Sequence, residues 1–209
     1  MVDMNIYDSE LNSNKDFLSQ YFDRIDPDTG EIKPMIYNLL DKDHPMVHMR
    51  MEENDQPEDR VEFSKDMAES MKEWGGIGLS ANQVGFPYRM FVMGDAKSYM
   101  SCYNPKITVE SDVMIPIDEG CLTYPGLFVK IYRPDRISVE FEDENGELHQ
   151  DDLEGLMCRV FQHEMDHMNG IDFTSRAKKM HLDIAKRKVK RAKLKLKRAH
   201  GKDMLARAS

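Results

Sequence analysis

His163 and His167 stand four residues apart with Glu164 beside the first, an HExxH run inside a segment of helical periodicity. Positions four apart share one helical face, so both imidazoles can reach a single metal ion while the carboxylate next to them serves as a base. An amphipathic helix carrying two surface histidines would give the same five letters, so the run needs company. A catalytic metal requires a third protein ligand and an open position for water. Glu119-Gly120-Cys121-Leu122-Thr123 places a cysteine directly after a glycine, and its thiolate would complete the set. A third segment, Gly76-Ile77-Gly78-Leu79-Ser80-Ala81-Asn82-Gln83, is a glycine-rich turn that leads to a glutamine.

These segments have to be held by regular elements, and the chain supplies them. Val61, Phe63, Met67, Met71 and Trp74 recur near the helical period and predict a helix of about four turns, ended by Gly75-Gly76. Tyr88–Met93 reads as a short buried strand. Ile137, Val139 and Phe141 alternate with polar residues, a strand with one wet face, and Asn145-Gly146 predicts a tight hairpin turn into a return strand near Leu148–Leu153. Leu156 to Met168 is helical and stops at Asn169-Gly170. Strands broken by helices without regular βαβ alternation predict an α+β fold.

With the three segments in hand the sequence resembles the peptide deformylases, whose motifs read GxGLAAxQ, EGCLS and QHExDH. Here they stand as Gly76–Gln83, Glu119–Thr123 and Gln162–His167, in the same order. The resemblance runs from about Asp41-Lys42-Asp43-His44-Pro45 through Arg133-Pro134-Asp135 to Phe173. It implies antiparallel strands around a central metal-binding helix, and a hydrolase that removes the N-formyl group from N-formyl-methionyl nascent peptides. It further implies metal ligands Cys121, His163 and His167, with Glu164 as the acid and base. The Gln83 amide and the Leu122 backbone N–H would be the oxyanion donors. Gly76, Ile77, Gly78, Glu119, Gly120, Leu156 and Val160 would meet the substrate. The donor set suits Fe²⁺, Zn²⁺, Ni²⁺ or Co²⁺, and the resemblance favours Fe²⁺. Two departures, Ser80 for alanine and Thr123 for serine, keep the side chains small and are expected to touch no catalytic group. Arg159 and Val160 stand where the family is apolar or carries cysteine, which alters the expected methionine pocket.

Composition narrows the setting. The 209 residues are 40% hydrophobic and 32% charged, enough for one well-cored domain. No apolar run is long enough for a membrane span. Asp3, Asp8, Glu10 and Asp16, with no apolar run among them, make a secretory leader unexpected. Three cysteines imply no disulfide framework, so a cytoplasmic location is expected, with Cys102 and Cys158 as small buried hydrophobes. The net charge of −9 divides into −21 over residues 1–175 and +12 over 176–209. The chain therefore reads as a polar extension over 1–35, a catalytic body over 36–175 and a basic C-terminal helix over 176–209. In the last, Leu182, Ala185, Val189, Ala192 and Leu196 make a thin apolar seam, which either packs on the acidic body or leaves the lysines to bind ribosomal RNA. DNA and membrane are not expected partners. Two rival readings are an HExxH metallopeptidase, whose third ligand could come only from His181 or His200, and a non-catalytic ribosome-binding protein with a deformylase-like body.

Overall fold

The computed structural model describes residues 24, 32–53, 56–95 and 98–207, the side chains through Lys197. Most of the 1–35 extension therefore lies outside the described residues. The chain divides into two compact units, residues 1–35 and 36–209, and the helices and strands named here belong to the second.

Helix α1 (Arg60–Glu73) starts where Asp59 accepts the Glu62 N–H at 2.9 Å, a cap that stabilises by about 1 kcal/mol. It ends at Gly75, whose φ of +69° favours glycine. Five strands follow in a single antiparallel sheet, β1 (Gly78–Ser80), β2 (Met90–Gly94), β3 (Tyr99–Glu110), β6 (Arg136–Glu142) and β7 (Leu148–Glu154), neighbours in that order. Between β3 and β6 the chain makes a separate antiparallel hairpin of β4 (Met114–Glu119) and β5 (Val129–Pro134). Helix α2 (Gly155–Met168) and the long α3 (Lys179–Arg207) complete the order. This is the expected α+β fold, with antiparallel strands and a C-terminal helix.

The period-2 pleat of β2 explains the layering. Met90 and Val92 face α1 with Phe63, Met67, Met71, Leu79 and Tyr103, while Phe91 and Met93 face α2 with Phe161, Met165 and Met168. Each such fully buried side chain contributes about 1.5–3 kcal/mol of transfer free energy. Helix α2 is enclosed on nearly all sides. Every residue from Cys158 to Met168 is buried, because the sheet covers one face and the β4–β5 hairpin meets the other. A third cluster joins Leu127, Val129, Ile131 and Phe173 to Ala185 of α3, with Leu182 and Val189 packed alongside.

The expected tight turn joins β6 to β7: the Asp143 N–H donates to the Glu147 carbonyl at 2.9 Å and the Gly146 N–H to the Asp143 carbonyl at 3.1 Å, so Glu144-Asn145-Gly146 forms the tip. Asp143 Oδ1 also accepts the N–H groups of Asn145 and Glu147 at 2.8 and 2.9 Å, and Gly146 takes φ +81° at the position where the turn needs it. The apolar seam of α3 meets the body over its first three positions. Leu182, Ala185 and Val189 pack on the body, whereas Lys190 through Lys197 are all exposed. No described helix is long and apolar enough to cross a membrane.

Candidate metal centre

The two histidines of α2 face one another with ring centres 5.2 Å apart. Cys121, just past the end of β4, brings Sγ to 3.3 Å from His167 Nε2. One ligand atom each from Cys121, His163 and His167 lie within 4.8 Å of one another, a spacing that fits a single ion. Burial alone would raise the Cys121 thiol, but His167 and His163 beside it pull harder and hold it well below the usual thiol range. The trio therefore offers a thiolate and two imidazoles, the soft and borderline donors that hold a first-row divalent metal.

Behind His163 lies an ion-pair chain that the sequence did not disclose. Glu119, expected beside the substrate, is buried and turned inward: its Oε2 meets His163 Nδ1 at 3.2 Å, which leaves Nε2 for a metal. Arg133 grips the same carboxylate in bidentate fashion, both contacts at 2.8 Å, and reaches Asp166 at 2.7 Å. Arg176 closes the other side of Asp166 at 2.6 Å. Burial works against the charge on Glu119, yet its bonds to His163 and Arg133 bring it down to about 2. Arg159, one turn before His163, is equally buried. It donates to Glu119 at 2.9 Å and to the Ile115 carbonyl at 2.8 Å, so it fastens α2 to β4 and does not project into a pocket.

Glu164 sits against β1. Its Oε2 is buried without a hydrogen-bond partner, and burial raises its pKa above the usual carboxylate value. Gly78 makes this approach feasible: a Cβ there would lie 2.4 Å from Glu164 Oε1 and 2.9 Å from Val160 Cγ1. Gly76 lies under Leu122, whose Cδ1 would be 2.8 Å from an added Cβ, and Gly120 lies under the Phe128 ring at 2.7 Å. Ile77 and Leu156 are exposed at the rim.

Gln83 ends on a 3-10 turn, Ala81–Val84, that follows β1. Its Oε1 accepts the backbone N–H of Ser80 at 3.0 Å and lies 3.0 Å from the Ser80 hydroxyl. Its Nε2 donates to Thr123 Oγ1 at 2.9 Å and lies 3.5 Å from Cys121 Sγ. The expectation that Ser80 and Thr123 touch no catalytic group is therefore corrected, since the two hold opposite ends of the same amide and fix which end faces Cys121. Asn82, also missed, donates Nδ2 to the His167 carbonyl at 3.0 Å and ties this turn to α2. No sequence spacing signals either link, because both arise from the folding of separate segments onto one another.

An α+β scaffold that sets a cysteine, two histidines of one helix and an adjacent glutamate around a common point is the arrangement of a metal-dependent hydrolase. The comparisons with known proteins make the class specific. The polypeptide deformylase family model matches residues 36–183. A peptide deformylase of Treponema pallidum is 39% identical over 126 residues, 60% of this chain and 78% of that protein. One of Thermotoga maritima is 43% identical over 133 residues, 60% and 80% of the two chains. Among solved structures, the Thermotoga maritima deformylase superimposes with a TM-score of 0.65 at 34% identity, covering 68% of this chain and 98% of that one. The Synechococcus elongatus deformylase in complex with actinonin gives 0.68 at 30% identity, covering 73% and 85%. The chain belongs to the polypeptide deformylase family. It is a metalloenzyme that removes the N-formyl group from nascent peptides.

Proposed function

We propose that Cys121, His163 and His167 hold Fe²⁺, with Zn²⁺, Ni²⁺ and Co²⁺ compatible with the same donors. The observation that carries this reading is the convergence of the three ligand atoms within 4.8 Å beside Glu164. A bound divalent metal supplies Lewis acidity that makes water reactive at neutral pH. Glu164 takes a proton from that attacking water and passes it to the leaving amine as the formyl C–N bond breaks, so formate and a free amino terminus result. Its lack of a partner at Oε2 and its raised pKa suit a group that must gain and lose a proton. Gln83 Nε2–H, held by Thr123, and the Leu122 N–H stabilise the developing oxyanion. The backbone of Gly76, Ile77 and Gly78 aligns the peptide, with Gly120 alongside, and Leu156 and Val160 meet the methionine side chain. Glu119 acts through His163 and not on the substrate.

The metallopeptidase alternative would need His181 or His200 at the metal; the His181 ring stacks on Tyr132 at 6.4 Å with its Nδ1 3.3 Å from the Lys130 carbonyl, and the His200 side chain lies outside the described residues. The basic helix serves a second purpose: Arg187, Lys188, Arg191 and Lys195, exposed on one side of α3, bind ribosomal RNA, and the enzyme works in the cytoplasm. The test is formate release from a formyl-methionyl tripeptide by protein loaded anaerobically with each of the four metals. Formate is expected with Fe²⁺ above all, and its absence with every metal would reject the assignment. Cys121→Ser should lower bound metal and activity together, and full retention of both would remove Cys121 from the ligand set. Ribosome co-sedimentation should fall steeply with salt, and salt-independent association would exclude RNA phosphates as the contact.

A further inference from the structure

Beside the metal centre a groove of about 900 Å³ runs between the body and the overhanging α3. Its floor is apolar and aromatic, with Trp74, Tyr124 and Leu39. Its opposite wall is a stripe of Lys186, Lys190, Lys193 and Lys197 at helical spacings of 4, 3 and 4, so one face of α3 looks into the groove. Arg187, Lys188, Arg191 and Lys195 fall about half a turn away, on the other side of the helix. Lys42 adds to the positive side and Asp41 is the single acidic residue of the lining.

The groove continues from the reaction site. β1 is the edge strand of the five-stranded sheet, free on one side to receive an extended peptide. Gly78, at its start, abuts Glu164, so the formyl end of a bound peptide belongs there. A chain running back past Ile77 and Gly76 comes next to Leu122, which packs over Gly76, and then to Trp74. Leu122, Thr123 and Trp74 all line the groove. The lysine stripe is the opposite wall, so a peptide meets it only after continuing past these residues.

We infer that this groove binds the downstream part of the formylated polypeptide substrate and selects for acidic and apolar residues there. The inference rests on the deformylase site described above. Complementary charge supplies the selectivity, and the apolar floor supplies contact area that a basic or fully polar segment would leave unused. Because the groove lysines and the outward basic face are on different sides of α3, occupation of one leaves the other free.

The test uses the full-length, metal-loaded enzyme with formyl-methionyl peptides of about ten residues that differ only at positions five to eight, as Asp/Leu, Ser or Lys/Leu mixtures. The acidic series should show at least about tenfold higher kcat/KM than the basic one at low salt, a gap that closes near 0.5 M salt. A formyl-methionyl tripeptide, which ends before the lysine stripe, is the control. Lys190→Glu/Lys193→Glu should invert the preference and leave the tripeptide unchanged. Trp74 is the only tryptophan in the chain, so deformylated product peptides should also shift its fluorescence, acidic ones at lower concentration. Equal turnover of all three series, or an unaltered preference in the double variant, would overturn the inference while the tripeptide is still cleaved. Loss of formate from the tripeptide itself would overturn the site reading and the groove with it.

Discussion

Gly78→Ala tests the reaction site at its tightest point. The added methyl would lie 2.4 Å from Glu164 Oε1 and 3.0 Å from its Cδ, against about 3.4 Å for ordinary contact. One of the two must move by about 1 Å. The backbone at Gly78 has ordinary φ, so no strain of the main chain adds to this. Glu164 is 3% exposed and Val160, whose Cγ1 would be 2.9 Å from the same methyl, is 6% exposed, so neither side chain can swing aside into solvent. Overpacking of this kind costs about 1–3 kcal/mol in stability, and a misplacement of about 1 Å at a reacting group costs on the order of 10² in turnover. The assay is formate release at fixed metal content, run also on Glu164→Ala and on the double variant. If the methyl acts by displacing the carboxylate, Gly78→Ala should change kcat little further once Glu164 is gone, and the two losses should be far from additive. A variant within about threefold of the parent rate, or two losses that simply multiply, would refute the reasoning.

Three further outcomes follow from the geometry. Glu164→Ala should keep its metal yet lose on the order of 10² to 10⁴ in rate, and metal loss measured by elemental analysis would make the residue structural instead. Thr123→Val removes the acceptor of one Gln83 N–H and should lower kcat by about tenfold, with KM little changed and Thr123→Ser restoring it, as steady-state kinetics would show. Without metal, burial opposes the charged form of His163, but Cys121 and Glu119 raise its pKa to about 10, so it carries a proton at neutral pH that a metal must displace. Metal affinity should therefore fall by about tenfold per pH unit for each proton displaced as pH drops below that value. Calorimetry in buffers of different ionisation heats would detect the released proton, and its absence near pH 7 would contradict this protonation state.

How much of this could be read in the chain depends on how local each signal is. Helices α1 and α2 and the β6–β7 pair announce themselves because the residues that bury them recur at 3.6 or 2. β3 does not. Its Asn104-Pro105 pair reads as a turn, and Asn104 does adopt φ +49°, at a register shift between Tyr103 and Lys106. Pairing with β2 and β6 on either side carries the strand through it. β4 and β5 escape for a related reason, since Pro116 breaks the expected strand composition and the pair lies outside the main sheet. At the site, the HExxH run and the cysteine are legible because residue type and spacing carry the chemistry. The burial of Arg159 is not, because an arginine on a helix is ordinarily solvated, and only Glu119 with two strand carbonyls makes it tolerable inside. Ser80 and Thr123 likewise acquire their function only when Gln83 curls back between them.

The three cysteines differ in a way that bears on how the protein ages. Cys102 and Cys158 lie in the core, where burial raises both thiols and keeps them protonated and inert. Cys121, reachable from solvent, is the one held as thiolate by its histidine neighbours. Peroxide attacks thiolates, so oxidation of the metal-free protein is directed to the single sulfur that the centre needs. The first product, a sulfenic acid, has no second cysteine nearby to trap it as a reversible disulfide, because the other two are enclosed. Further oxidation then ends in a sulfinate that cannot serve as a thiolate donor, and the lost ion cannot be put back. The arrangement that makes Cys121 a good ligand thus turns temporary metal loss into permanent inactivation.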